Sequence, residues 1–362
     1  MTGKADLHVV IMAGGVGTRF WPLSRRKTPK QFLPIATGRT MFEETVGRVL
    51  PLVPEAKVLT VANAAQTRSI RRLAPSLPAA NLIVEPRGKN TAPSLILATA
   101  QVYLRNPEAV VAVLPSDHHI TRPEVFLRKL RAAAEAAVGG ESLVTFGIRP
   151  TFPSTGYGYI HFSRRGVKRH RGEAFFPVLA FTEKPGLPAA RRFLRRGGYA
   201  WNSGMFVWRA SVFARKLERH APDFFRFWGP TLSALKSRSR SALAKVFDAI
   251  PALSIDYALM EKAEGTLTSE GDFGWSDVGA WSALADIWPR DGEGNAVKGE
   301  AVVLDSGRNV VYNPGKMTAL VGVRDLVVVE TPDALLVCRK DRDQEVKKIL
   351  EALAKRGKSR VL

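Results

Sequence analysis

Five cationic side chains, Arg19, Arg25, Arg26, Lys27 and Lys30, crowd the stretch from Val9 to Phe32, behind glycines at 14, 15 and 17 and with no carboxylate among them. Glycine removes the side chains that would hold a ligand away from the backbone, so neighbouring N–H groups can cradle phosphate oxygens. The pattern predicts an anion-binding loop, with a nucleoside triphosphate as first candidate. Asp117 stands just past the apolar run AVVAVL, where Pro115 and Ser116 end a strand, so its carboxylate belongs at a strand tip. A hard cation such as Mg²⁺ takes oxygen ligands, usually one or two carboxylates plus substrate phosphates. Asp117 is thus either a metal ligand or a loop aspartate capping the next turn. His118 and His119 follow it without the further His or Cys spacing of a zinc site. Asp277 lies between Trp275 and Trp281 in a glycine-punctuated turn, and an acid among aromatics needs a cation or donors around it. It is the second metal candidate. The polar turn Trp201-Asn202-Ser203-Gly204 suits hydroxyl recognition, because an Asn amide both donates and accepts, and suits equally a purely structural turn. Asp256, in the first turn of a capped helix, is accounted for by the helix dipole.

Elements must hold these groups in place. From Asp6 to about Val138, the apolar runs LHVVIMA, KVLTVA, NLIVE and AVVAVLP alternate with helical patterns at Met41 to Leu50, about Ala65 to Leu73, and Thr91 to Leu104. Unalternating β-branched runs fit strands covered on both faces, and βα alternation predicts an α/β fold with a doubly wound, mostly parallel sheet. Ligands of such sheets sit beyond the carboxyl ends of the strands, where the glycine loop, Glu85 and Asp117 all fall. Thr40 and Glu43 form a capping-box signature before the first helix. From about Ser142 to Trp281 the pattern is mixed, with an exposed basic hairpin at 164–172 and a basic aromatic segment at 221–249 read as helix packing. Short strands then recur from Asn295 to Val337, separated by SGR, PGK and TPD, as in a small β-module. A terminal helix from about Asp341 to Lys355 carries one apolar stripe, Val346, Ile349, Leu350 and Leu353, that should dock or dimerise. The expected division is a catalytic domain over residues 1–290 and a β-module with its helix over 291–362.

At 362 residues and a formal charge of +21, the chain is an ordinary globular protein that needs anionic company. Closely spaced Phe224, Phe225, Phe227 and Trp228 do not make stacking platforms, so nucleic acid is not the expected partner. One cysteine, Cys338, excludes an internal disulfide framework and reads as a buried thiol. The N-terminal apolar run is too short for a signal peptide and no stretch reaches a membrane span, so a cytoplasmic protein without membrane contact is expected.

The glycine loop lacks the GK[ST] of a P-loop and the third glycine of a dinucleotide fold, where Phe20 stands. The string GGVGTRFWPLSRRKTPKQF instead resembles the signature of sugar nucleotidyltransferases, within them the mannose-1-phosphate guanylyltransferases (GDP-mannose pyrophosphorylases). EPRGKNTAPS, LPSDH, TGYGYI, FTEKP, WNSGMF, SIDYALME and GWSDVGAW follow in that family's order, spanning about residues 6–340. The resemblance implies a Rossmann-like nucleotidyltransferase fold followed by a left-handed β-helix-like module, and the reaction of GTP with mannose 1-phosphate to GDP-mannose and pyrophosphate. It implies nucleotide contacts at Ala13, Gly14, Gly15, Gly17, Thr18, Arg19, Lys30, Asn90 and Thr91. Arg19, Lys30 and Lys184 become the catalytic cations, and Asp117 and Asp277 hold Mg²⁺. Sugar-phosphate contacts fall on Gly156, Gly158, Glu183, Lys184 and Asn202. Glu85 is the available acid for the two neighbouring donors of guanine. A homodimer is expected, and no room remains for the isomerase domain of the longer bifunctional members. A different sugar or base, or a non-catalytic nucleotide-sugar-binding homologue, are the alternatives.

Overall fold

The computed structural model describes residues 5–15 and 17–361. They form two compact units, Met1–Gly14 with Thr45–Pro115 and Ile120–Trp275, and Gly15–Glu44 with Ser116–His119 and Ser276–Leu362.

The first unit is built on a ten-stranded sheet. Strands β1 (Leu7–Met12), β2 (Val58–Asn63), β3 (Leu82–Glu85) and β4 (Val110–Pro115) lie in the order β3-β2-β1-β4, all parallel. Buried Val9, Val10, Ile11, Val58, Val61 and Val111 explain why their sequences show no polar alternation. From the fifth position on, the sheet is mixed. Tyr199–Arg209 runs antiparallel to β4, to Val144–Ile148 and to Tyr159–Phe162, while Leu267–Gly271 returns parallel to Val144–Ile148. The mostly parallel expectation therefore describes the first four strands only. The segments TGYGYIHF, RRGVKRHRG and FPVLAFTEKP are joined by short turns, and antiparallel pairing alone tolerates such connections. The basic aromatic segment is helical, at Pro222–Phe225, Trp228–Lys236 and Arg240–Ala249, with Phe224 and Trp228 buried in the same core as Trp208 and Phe213.

The second unit gathers the basic loop and the C-terminal module around one core. Phe20, Trp21, Leu33 and Ile35 pack with Trp281, Leu284, Val310, Val327, Val329 and Val346. The Trp281 indole N–H donates to the Trp21 carbonyl at 3.1 Å and that of Trp288 to Ile35 at 2.7 Å, so these tryptophans fix the loop's path. Ala296–Leu304, Val310–Val321 and Leu326–Thr331 are parallel, and Ala334–Arg339 closes the sheet antiparallel. PGK is not a turn, because Val310–Val321 runs through it as one strand. The partner strand shifts register between Gly299 and Ala301, and the buried Asn313 amide donates to Glu300 and Lys316 carbonyls at 2.6 and 2.7 Å, doing with a side chain what a turn would have done. Three of the four stripe residues dock, Val346 buried and Leu350 and Leu353 packed on the same core, while Ile349 is exposed on the helix's outer side. Cys338 is half-buried against that core, which pushes its thiol up to about 11. The capping box is formed, Thr40 N–H donating to Glu43 Oε2 at 2.9 Å and Glu43 N–H to Thr40 Oγ1 at 3.2 Å.

Fully buried Asn309 donates to Asn295 Oδ1 at 2.9 Å and the Val323 carbonyl at 3.1 Å, and accepts from Leu326 N–H at 2.9 Å. Stranding those partners costs about 1–3 kcal/mol each, so Asn309→Leu is expected to lower stability by about 2–4 kcal/mol in urea unfolding followed by tryptophan fluorescence.

Candidate active site

In the second unit the decisive side chain is Lys30. Its ammonium donates to Asp117 Oδ2 at 2.9 Å and to the Asp277 carbonyl at 2.6 Å, and only 5% of the side chain is exposed. Gly17, at φ 64°, is where Lys30 passes, because a Cβ there would lie 2.2 Å from that of Lys30. Gln31 and Ser24 donate to the Gly15 and Gly17 carbonyls, both at 2.8 Å, tying the loop's acceptors inward. Burial pushes the Asp117 carboxyl up, but the charges of Lys30 and His118 and the Lys30 hydrogen bond outweigh it and hold the group below its ordinary value. Asp117 therefore stays ionised. After Asp277, Val278 sits at φ 45°, a left-handed conformation that a β-branched residue adopts only under constraint, and a Cβ at Gly279 would come within 2.8 Å of the Asp277 carboxylate. Arg19 and Thr18 are exposed, with an Arg19 N–H 3.4 Å from the Gly279 carbonyl. Of the five cations, Arg25 turns away to structural partners, Asp333 at 2.7 Å and the Val361 carbonyl. His119 Nδ1 lies 3.3 Å from Glu44 Oε2.

The oxygens gathered on the Lys30 ammonium are the Asp117 carboxylate and the Asp277 backbone carbonyl. Among the described residues no three His, Cys, Asp or Glu side chains are grouped to cage a metal. Mg²⁺ is usually held by one or two carboxylates with substrate phosphates completing the shell, and the ionised Asp117 carboxylate, beside the turn that carries Asp277, is an oxygen donor of that kind.

In the first unit, Gly14 follows β1 and Glu85 ends β3 at the same edge of the sheet, and a Cβ on Gly14 would stand 3.4 Å from Glu85 Oε2. Glu85 is buried, with Ser94 donating to Oε1, and burial raises its carboxyl more than that bond lowers it. Ala13, Asn90 and Thr91 have structural work here. Ala13 N–H extends the ladder to the Val61 carbonyl at 2.8 Å, Asn90 Oδ1 accepts from Thr91 N–H at 2.8 Å, and Thr91 Oγ1 accepts from Ile255 N–H at 2.8 Å.

The same unit brings together Gly158, Glu183, Lys184 and Asn202, while Gly156, exposed, donates to Ser154 Oγ at 3.1 Å. The Glu183 side chain is 9% exposed, Oε1 lies 3.1 Å from the Lys184 ammonium, and Oε2 is buried without a partner. That oxygen sits where a Gly158 side chain would be, 2.3 Å from a Cβ built there. Lys184 takes a left-handed φ of 45°. Asp256 joins this cluster, which sequence reasoning missed. It lies in a π-helical turn, Asp256–Met260, and its Oδ1 accepts from Asn202 Nδ2 at 2.9 Å. Burial, then the nearby Glu183 charge, raise its carboxyl to about 6. The available signal was the run SIDYALME itself, since a dipole needs only some acid in a first turn, not one facing another carboxylate.

A nucleotidyl transferase is the class that this α/β fold, with its glycine loop and buried lysine on Asp117, defines, and that family's model matches residues 8–293. A second model, a mannose-phosphate isomerase/GMP-like β-helix domain, matches residues 299–353. The chain is 39% identical to a mannose-1-phosphate guanylyltransferase of Escherichia coli, over 95% of this chain and 73% of that protein. It is 38% identical to the alginate biosynthesis protein AlgA of Pseudomonas aeruginosa, over 97% and 73%. A solved structure from Thermus thermophilus, described as a mannose-1-phosphate geranyltransferase, agrees at a TM-score of 0.86 and 35% identity, over 96% of this chain and 99% of that one. The chain belongs to the nucleotidyl transferase family, among its mannose-1-phosphate guanylyltransferases.

Asp256 also yields a stability prediction with a defined sign. Its folded-state pKa lies above the ordinary value of 3.8, so between about 4 and 6 the native chain holds a proton that the unfolded chain releases. This contribution is present in acid and lost as pH rises through about 6. Asp256→Asn, which cannot ionise, is expected to raise the melting temperature at pH 8, a gain on the order of 2 kcal/mol that shrinks toward pH 4 in a series of thermal melts.

Proposed function

We propose the following division of labour for the transfer of GMP from GTP to mannose 1-phosphate, which gives GDP-mannose and pyrophosphate. The sugar phosphate has a second pKa around 6 and is largely a dianion at neutral pH, so its attack on the α-phosphorus needs no strong general base. Positioning and charge neutralisation remain. Arg19 takes the β- and γ-phosphates, which leave as pyrophosphate. Lys30 meets the charge that develops on the α-phosphoryl oxygens. Lys184 grips the sugar phosphate, and Glu183 and Asn202, with the backbone at Gly156 and Gly158, meet the sugar hydroxyls. The glycine loop, Gly14 to Thr18, lies along the triphosphate, and Glu85 accepts from N1–H and N2–H₂ of guanine. Asp117 and Asp277 would hold Mg²⁺, which when bound neutralises phosphate charge and orients the leaving group.

One observation carries this reading: the buried Lys30 ammonium, bound at once to the Asp117 carboxylate and the Asp277 turn. It supports a rigid cation held between the Asp117 carboxylate and the turn that carries Asp277, fixed positive charge of the kind phosphoryl transfer uses. A domain boundary near residue 290 is part of the proposal. So are a cytoplasmic setting and a homodimer, the latter supported by exposed Val302, Leu304, Met317 and Val321 on the β-module. Among the described residues no helix is long and apolar enough to cross a membrane.

Purified protein given GTP, mannose 1-phosphate and Mg²⁺ is expected to release pyrophosphate, with EDTA abolishing and added Mg²⁺ restoring the reaction. Asp117→Ala should cost on the order of a thousandfold in kcat, the several kcal/mol that a metal supplies to a phosphoryl transition state. Full activity in that variant, or no product from any nucleotide and sugar-phosphate pair in a panel, would sink the mechanism. In the same panel Glu85→Gln is expected to narrow the preference for GTP over ATP by about tenfold or more, since an amide cannot accept from both guanine donors. An unchanged ratio would remove Glu85 from base selection.

A further inference from the structure

The Glu183–Asn202 cluster contains more acceptors than donors. Two carboxylates, Glu183 and Asp256, face one another closely enough for the first to raise the proton affinity of the second, and Glu183 Oε2 has no partner although it is buried. The charged groups around them are Lys184, which reaches Glu183 Oε1 at 3.1 Å, and Glu261, whose Oε1 accepts from Glu183 N–H at 2.9 Å. Such a deficit of donors is costly unless a ligand brings hydroxyls. Asn202 is held at both ends, its Oδ1 accepting from Gly204 N–H at 3.0 Å and its Nδ2 donating to Asp256 at 2.9 Å. An Asn amide offers two protons and two acceptor lone pairs, so half its capacity is spent on fixing which way it faces. The turn that carries Asp256 also holds the backbone of Glu183, through Glu261 on its N–H and the Tyr257 hydroxyl 3.5 Å from its carbonyl. A π-type turn is an uncommon conformation that recurs at functional sites. The dipole of a single turn does not require an acid here, and neutral Asn or Ser would serve a turn without crowding two carboxylates.

We propose that Asp256 is a positioning residue for the sugar: its carboxylate locks the orientation of the Asn202 amide, and its turn sets Glu183, so that both present a fixed donor and acceptor pattern to the hydroxyls of the sugar phosphate. The inference rests on the assignment of Glu183 and Asn202 to the sugar. Asp256 itself acts through Asn202 and has no direct part in phosphoryl transfer, so its removal loosens sugar binding and leaves the nucleotide untouched.

Steady-state kinetics with both substrates varied tests this. Asp256→Ala is expected to raise KM for mannose 1-phosphate about tenfold or more while KM for GTP stays within about twofold. In an Asn202→Ala background the same change should add less than about threefold, because its target is gone. Asp256→Asn, whose amide oxygen can still accept from Asn202, should recover most of the loss. Should Asp256→Ala fail to fold by circular dichroism, Asp256→Ser is read against the same criteria. Equal rises in both KM values, an unchanged sugar KM, or an undiminished effect without Asn202 overturns the inference. Wild-type protein inactive toward every sugar 1-phosphate overturns the assigned activity itself, a result distinct from an active wild type with an indifferent Asp256 variant.

Discussion

A buried ammonium governs the second unit. Removing Lys30 from water without a partner would cost several kcal/mol, so its surroundings must supply charge and carbonyl oxygen in fixed places. The Asp117 carboxylate and the Asp277 carbonyl do so, and neighbouring features follow from that need. Gly17 has no side chain because Lys30 occupies the space, and the Asp277 turn is held with Val278 in a left-handed conformation. That strain is offset by the packing of Val278 in the same core as Trp281 and Phe20. Charge placed this way needs little reorganisation when an anionic group arrives.

The first unit solves the opposite problem. Around Glu183 and Asp256 burial combines with two like charges set against one another, and the fold tolerates the repulsion by letting Asp256 hold its proton more tightly. Lys30 is matched within its own unit, whereas the Glu183 cluster is left incomplete. The matched centre suits a group that must not move, and the incomplete one leaves an acceptor, Glu183 Oε2, open to a hydrogen-bond donor.

Much of this was legible in the chain because the signals were local. Thr40 and Glu43 are three residues apart, the four parallel strands are continuous apolar runs, and the stripe Val346, Leu350, Leu353 follows one helix face. Other features depend on partners far along the sequence. Asp256 meets Asn202 across 54 residues, and Arg25 meets Asp333 across 308, so composition around either one carries no trace of the pairing. The mixed half of the sheet escaped because apolar strands look alike whichever way a neighbour runs. PGK misled for a related reason, since turn residues also suit a bent strand whose corner an Asn side chain completes.

Cys338 gives the β-module a reporter of its own. A thiol pushed up to about 11 and turned toward an apolar core is almost entirely protonated at neutral pH, and reacts slowly with disulfide reagents. It is the only cysteine in the chain, so any covalent label marks a single address on the closing strand Ala334–Arg339. When that strand lifts away the thiol regains its ordinary acidity and is modified faster. The speed of labelling in native buffer therefore clocks the breathing of this strand, separately from the unfolding of the whole chain.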